Sequence, residues 1–158
     1  MIQTRLLPAL TLGIVIADLA TKALAAAWLD ASGVAVLPVV NLTLGFNRGV
    51  SFGLFAADGM AGRTALVGLT IVAIAAIGVL AWRTVNPIER MSYALIGGGA
   101  LGNLVDRLHD GAVTDFIDLH AVGWHFPTFN IADVAITGGA VLLFLAAFRR
   151  SPKFPNDD

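Results

Sequence analysis

Thr64-Ala65-Leu66-Val67-Gly68-Leu69-Thr70-Ile71-Val72-Ala73-Ile74-Ala75-Ala76-Ile77-Gly78-Val79-Leu80-Ala81-Trp82 contains no charged side chain. As a helix rising ~1.5 Å per residue it spans roughly 28 Å, close to the hydrocarbon thickness of a bilayer. A helix that packs on a water-soluble core keeps a polar face, and this one has none, so lipid is the medium it requires. Three more apolar stretches flank it: Leu6 to about Trp28, about Met91 to Leu108, and about Ile131 to Phe148. Trp28 and Trp82 stand at span ends, where amphipathic rings prefer the headgroup layer. The expectation is an all-α membrane protein with four transmembrane helices and a small extracytoplasmic β-sheet and loop cradle. Residues 1–158 form a single integral membrane domain, with spans at about 6–28, 64–82, 91–108 and 131–148. Outer loops then fall at about 29–63 and 109–130.

Composition leads to the same medium. Of 158 residues, 57% are hydrophobic and only 13% charged, too little polar surface to cover a fold in water. A net charge of −1 gives no reason to expect nucleic acid. The absence of cysteine excludes disulfides and thiolate chemistry. Arg5, Arg83, Arg90, Arg149, Arg150 and Lys153 flank the span ends that share the termini, whereas Arg48, Arg63 and Arg107 lie on the other side. That excess predicts both termini in the cytoplasm. Arg5, the apolar run and Ala25-Ala26-Ala27 have the form of a cleavable signal, but Asp18 and Lys22 interrupt the run, and the segment is read as a retained span. The tail after Arg150 reads as a polar end.

Within the first outer loop, Val34–Leu37 and Val39–Phe46 favour strands through β-branched and aromatic residues. Gly45, Gly49 and Gly53 punctuate the loop as turns or bulges, and Met60–Arg63 is too short to add a span. This predicts a small sheet on the outer membrane surface.

Ionisable groups in membrane spans are costly and mark a functional site by default. Asp18 lies ~18 Å above Leu6 at ~1.5 Å per residue. The third span brings Asn103 to a similar height, with Asp106 and Arg107 above it. The fourth descends from the outer side, so Asn130 and Asp133 lie near its top, and Asp115 follows the third span by a few residues. Three spans therefore deliver polar residues to one outer layer. Asp18 and Lys22, at i and i+4, share a helix face and read as a structural polar pair. Asn103 and Asn130 are equally explained as interhelical hydrogen-bonding glue or as substrate contacts.

Asp115 and Asp133 each precede an apolar segment with no cation one helical turn away. Two carboxylates facing each other in a low-dielectric cleft cannot both ionise easily, so they share a proton and can act as base and acid. Asp106, Asp110 and Asp118 compete for these roles on spacing alone.

Other chemistries lack their parts. Ser51 has no histidine near it in sequence and is explained as a turn residue. His120 and His125 with Asp115 and Asp118 offer metal donors, but no zinc-protease helix motif accompanies them, and no metal or cofactor is assigned. Gly97-Gly98-Gly99 follows no strand and precedes no Lys-Ser/Thr, so it reads as a close-packing surface, like Gly138-Gly139. The alternative from another class is a small proton-coupled transporter or channel subunit, which expects polar groups through the whole bilayer depth. The second span and the inner halves of the others are almost purely apolar.

Five blocks together resemble the lipoprotein signal peptidase (signal peptidase II) family. They are Asp18-Leu19-Ala20-Thr21-Lys22, Phe46-Asn47-Arg48-Gly49-Val50-Ser51-Phe52, Gly98 to Arg107, Val113-Thr114-Asp115-Phe116-Ile117-Asp118, and Phe126 to Asp133. They run in order over essentially the whole chain. Leu19 replaces a common glutamine, and Val50 and Ser51 replace frequent alanines. The resemblance implies an aspartyl endopeptidase that cleaves prolipoprotein signal peptides before a diacylglyceryl-modified cysteine, with Asp115 and Asp133 as the dyad. It implies that Asn47, Asn103, Arg107 and Asn130 line the cleft, with Arg48 on the outer cradle and Asp106 shaping the site. Asp18, Lys22 and Asp106 match more structural positions. It further implies a monomer in the bacterial cytoplasmic membrane, in contact with lipid and inhibited by globomycin-type compounds.

Overall fold

The computed structural model describes residues 2–49 and 59–148, with side chains from residue 7 onward. Ser51 and the tail after Arg150 lie outside the described residues. The elements are α1 (Ile2–Trp28), β1 (Val34–Leu37), β2 (Val40–Asn47), α2 (Met60–Arg83), α3 (Pro87–His109), β3 (Val113–Ala121), β4 (Trp124–His125) and α4 (Ile131–Phe148).

Helix α2 contains the uncharged stretch, and none of its residues is buried by the rest of the protein. Leu7–Trp28, Met60–Arg83 and Ile131–Phe148 are each long and apolar enough to cross a bilayer. Met60–Arg63, read from the sequence as a fragment of loop, is the first turn of α2.

Helix α3 is more polar because it is the hub, packed on α1, α2 and α4. Its buried residues include Ser92, Ala94, Gly97, Gly98, Gly99 and Gly102, followed by Asn103 and Asp106. Small residues let helix backbones approach. A Cβ at Gly102 would collide with the Asp18 carboxylate of α1, and one at Gly99 with the Ala132 carbonyl of α4. The glycine run therefore brings both helices within reach of the polar groups above it. Asn86 caps the start of α3, its side chain accepting from the Ile88 N–H at 2.9 Å, with Pro87 at the first helical position. Arg63 of α2 closes the other end by donating to the carbonyls of Arg107 (3.0 Å) and Leu108 (2.9 Å).

One end of the helices carries an antiparallel four-stranded sheet, ordered β1-β2-β3-β4. The predicted strands in the first loop are present almost as drawn. The second outer loop, for which the sequence reading assigned no strands, supplies β3 and β4. Strand β2 pairs with β3 through Gly45↔Asp115, Phe46↔Thr114 and Asn47↔Val113, beyond an irregularity between Leu42 and Gly45. The β3–β4 turn places Val122 (φ 51) and Gly123 (φ 79) both in the left-handed region, which suits the twist of a two-residue hairpin turn.

Candidate active site

Strand β3 carries Asp115, and the segment entering α4 is tied to β3 two residues further on. Phe129 accepts at its carbonyl from the Phe116 and Ile117 N–H groups (3.0 and 2.9 Å) and donates to the Ile117 carbonyl at 3.1 Å. The next residue, Asn130, caps α4. Its side-chain oxygen accepts from the Asp133 N–H at 3.0 Å, while Asp133 Oδ2 accepts from the Asn130 N–H at 3.3 Å. This is a capping box, satisfying two backbone donors reciprocally. Since Asn130 is pinned beside β3, the box delivers Asp133 to the neighbourhood of Asp115.

Three asparagines then aim their amides at the two carboxylates. Asn130 Nδ2 donates to Asp115 Oδ1 at 2.7 Å, with the Thr114 carbonyl and Asn103 Oδ1 further off at 3.3 and 3.2 Å. Asn103 Nδ2 donates to Asp133 Oδ1 at 2.9 Å. Asn47 donates to Asp115 from β2, while its own oxygen accepts from the Gly49 N–H at 3.0 Å. In each case the amide oxygen is occupied by a donor, so only the NH2 group can face a carboxylate.

Behind this layer Lys22 contacts Asp18 Oδ2 at 2.7 Å, Asp106 Oδ2 at 3.1 Å and Asn103 Oδ1 at 2.8 Å. The predicted pair is thus part of a buried triad of charges. Asp18 also accepts from the Ala132 N–H of α4 at 2.8 Å, and Asp106 from the Thr114 N–H of β3 at 2.9 Å.

Asp115 is 2% exposed and Asn130 is fully buried. Burial, followed by the charge of Asp133, pushes the Asp115 carboxyl up to about 6 against the opposing donations from Asn130 and Asn47. A cavity of about 730 Å³ adjoins the site, lined by Asn47, Asn103, Arg107 and Asp133 among others. It continues along one face of α4 through Val134, Ile136, Thr137 and Gly138, and reaches Thr70 on α2. Asp115 lies behind the lining, in contact with Asn47 and Asn130.

Residues 10–149 match the family described as Signal peptidase (SPase) II. The chain belongs to the signal peptidase II family. It is 49% identical over 117 residues to a lipoprotein signal peptidase of Burkholderia mallei (strain SAVP1), covering 73% of this chain and 70% of that one. It is 41% identical over 121 residues to a lipoprotein signal peptidase of Methylorubrum extorquens (strain PA1), covering 77% and 71%. A bacterial membrane enzyme solved by the in meso method at 2.3 Å resolution superposes with a TM-score of 0.84 at 28% identity, covering 96% of this chain and 93% of that one. A second, at 1.9 Å, gives 0.82 at 29% identity, covering 92% and 94%.

The competing carboxylates are engaged elsewhere. Asp106 is held by Lys22 and Thr114. Asp110 is the exposed C-cap of α3, paired with His109 at 2.8 Å. Asp118 points to the opposite face of β3 from Asp115, where it meets His125 Nδ1 at 2.9 Å and Asn41 at 3.2 Å. His125 and Asn41 outweigh the burial of Asp118 and hold its carboxyl below the usual range. Arg107 bridges to the Gly49 carbonyl at 3.1 Å and lines the cavity, whereas Arg48 is exposed and outside the lining. Sequence reading missed Arg63 as the cap of α3 and the α4 face below Asp133. The spacing of Thr137, one turn after Asp133, signals that face.

Proposed function

We propose that the chain is an aspartyl endopeptidase in which Asp115 and Asp133 form the catalytic dyad. Its substrates are prolipoproteins, cut before a diacylglyceryl-modified cysteine. The observation that carries this reading is Asn130, whose amide donates to the Asp115 carboxylate and whose backbone N–H donates to that of Asp133, with Asp133 lining a largely apolar cavity. An apolar cleft with a few fixed polar groups suits a lipid-bearing peptide. The acyl chains stay against the α2 and α4 walls, and the peptide bond meets the carboxylates at the top.

The dyad shares one proton, and burial favours Asp115 as its holder. The ionised carboxylate takes a proton from water as the water oxygen bonds to the scissile carbonyl carbon. The protonated carboxyl gives its proton to the carbonyl oxygen. As the tetrahedral intermediate collapses and breaks the C–N bond, one of its hydroxyls returns a proton to the dyad while the dyad protonates the leaving nitrogen, so that one shared proton remains. Arg107 and Asn47 orient the peptide, and the outer sheet with Arg48 covers the scissile bond. Closure removes water and strengthens the electrostatics around the carboxylates.

The test is cleavage of purified diacylglyceryl-prolipoprotein in detergent. Wild type should release the signal peptide. Asp115→Asn and Asp133→Asn should fold and lose at least about 1,000-fold in turnover, as expected when a group central to the chemistry is removed. Wild-type turnover in either variant would remove that aspartate from the dyad.

A further inference from the structure

The ammonium of Lys22 has three N–H donors and three acceptors: Asp18 Oδ2, Asp106 Oδ2 and Asn103 Oδ1. Charge balance alone would be met by the two carboxylates. The third donor goes to a neutral amide oxygen, and the opposite end of that amide holds Asp133 Oδ1 at 2.9 Å. An ammonium can face only an acceptor, so Lys22 determines which way the Asn103 amide points. Asn130 Nδ2 approaches the same oxygen at 3.2 Å, but its shorter bond is to Asp115 at 2.7 Å. Without Lys22, that weaker contact alone would oppose an amide flip that sets an oxygen against the Asp133 carboxylate.

The two carboxylates on Lys22 complete the arrangement. Asp18 holds the Ala132 N–H, one residue before Asp133, and Asp106 holds the Thr114 N–H, one residue before Asp115. One buried cation thus joins the backbone supports of both aspartates. We propose that Lys22 is a positioning residue for the peptidase reaction, orienting the Asn103 amide toward Asp133 and holding the supports of Asp133 and Asp115 in mutual register. This rests on the dyad reading above. It gives the buried triad a role in turnover beyond clamping α1 to α3.

The consequence is a loss in kcat with binding retained, because Lys22 sits behind Asn103 and does not itself line the cavity, and misplacement of a reacting group by about 1 Å costs about 100-fold. Lys22→Met leaves Asp18 and Asp106 without their partner, so Lys22→Met/Asp106→Asn is the informative variant. It preserves the net charge of the triad and keeps an acceptor for the Thr114 N–H. Its kcat on diacylglyceryl-prolipoprotein should fall about 100-fold with KM within about threefold of wild type. Adding Asn103→Ala should cost little more than Asn103→Ala alone, because residues acting through one another are not additive. A folded charge-balanced variant with wild-type kcat overturns the proposal, as do additive losses with Asn103→Ala. A charge-balanced variant that cannot fold assigns Lys22 to structure and overturns it as well. Wild type, Asp115→Asn and Asp133→Asn in the same assay separate this outcome from failure of the dyad, since an inactive wild type or an active aspartate variant would refute that reading first.

Discussion

Asp115 is paired across β2–β3 with Gly45, receives amide hydrogen bonds from two sides, and still has its carboxyl pushed up to about 6 by burial and the charge of Asp133. The sign follows from linkage. A folded-state value above the ordinary 3.8 means that the fold favours the protonated form. Stability from this group is therefore full below about 4 and is lost as pH rises through about 6. Asp115→Asn removes the ionisation, so its thermal unfolding in detergent should gain on wild type between about pH 4 and pH 8, by at most roughly 3 kcal/mol. In Asp133→Asn the inflection should move below about 6, because a charge that raises it is gone. Parallel wild-type and Asp115→Asn stability curves across that window would contradict the strained carboxylate. From residues alone, this carboxylate was one of several. Asp106, Asp110 and Asp118 had equal standing until the structure gave Asp106 and Asp118 partners from other segments and left Asp110 exposed at the end of α3 beside His109.

At the scale of single elements, local chemistry was legible where the determinants lie within a few residues. The i, i+3 spacing of Asn130 and Asp133 was such a signal and starts α4 as a capping box, whereas the Asn86-Pro87 start of α3 lies before the span read from about Met91. The β3–β4 hairpin escaped because Val122 breaks the turn rule. A β-branched residue in the left-handed region costs roughly 1–2 kcal/mol, where Asn-Gly would be the ordinary choice. Val122 is fully exposed, so replacing it loses no packing. Val122→Asn should stabilise the hairpin by about 1 kcal/mol. The Phe126 amide, which donates to the Leu119 carbonyl at 2.7 Å, should then exchange about fivefold more slowly with solvent. Unchanged or faster exchange would show that the turn carries no such strain.

For the whole molecule, the order of helices and strands implies one sheet-bearing end, since both the α1–α2 and α3–α4 connections pass through the sheet. We propose that all four helices span the bilayer, α3 tolerating its polar residues because the other three enclose it. The same proposal puts both termini in the cytoplasm of a bacterial cell, with the sheet outside the inner membrane. Reporter fusions active only on the outer side should therefore work when inserted after Ser32 and fail when appended to either terminus. The reverse pattern would invert the orientation.

Sequence by itself determined the apolar medium, the helices and the strands of the first outer loop. An uncharged stretch such as Thr64–Trp82 has one stable environment whatever its neighbours do, and a capping box needs only four consecutive residues. It also held the blocks that resemble one family, and through that resemblance singled out Asp115 and Asp133. Only the tertiary structure decided which polar groups meet. Lys22 reaches Asn103 across 81 positions and Asp18 reaches Ala132 across 114. The physical reason is that hydropathy and capping sum over neighbours in the chain. The partner of a buried charge depends on how closely the helices approach, which glycines such as Gly99 and Gly102 set without chemical groups of their own.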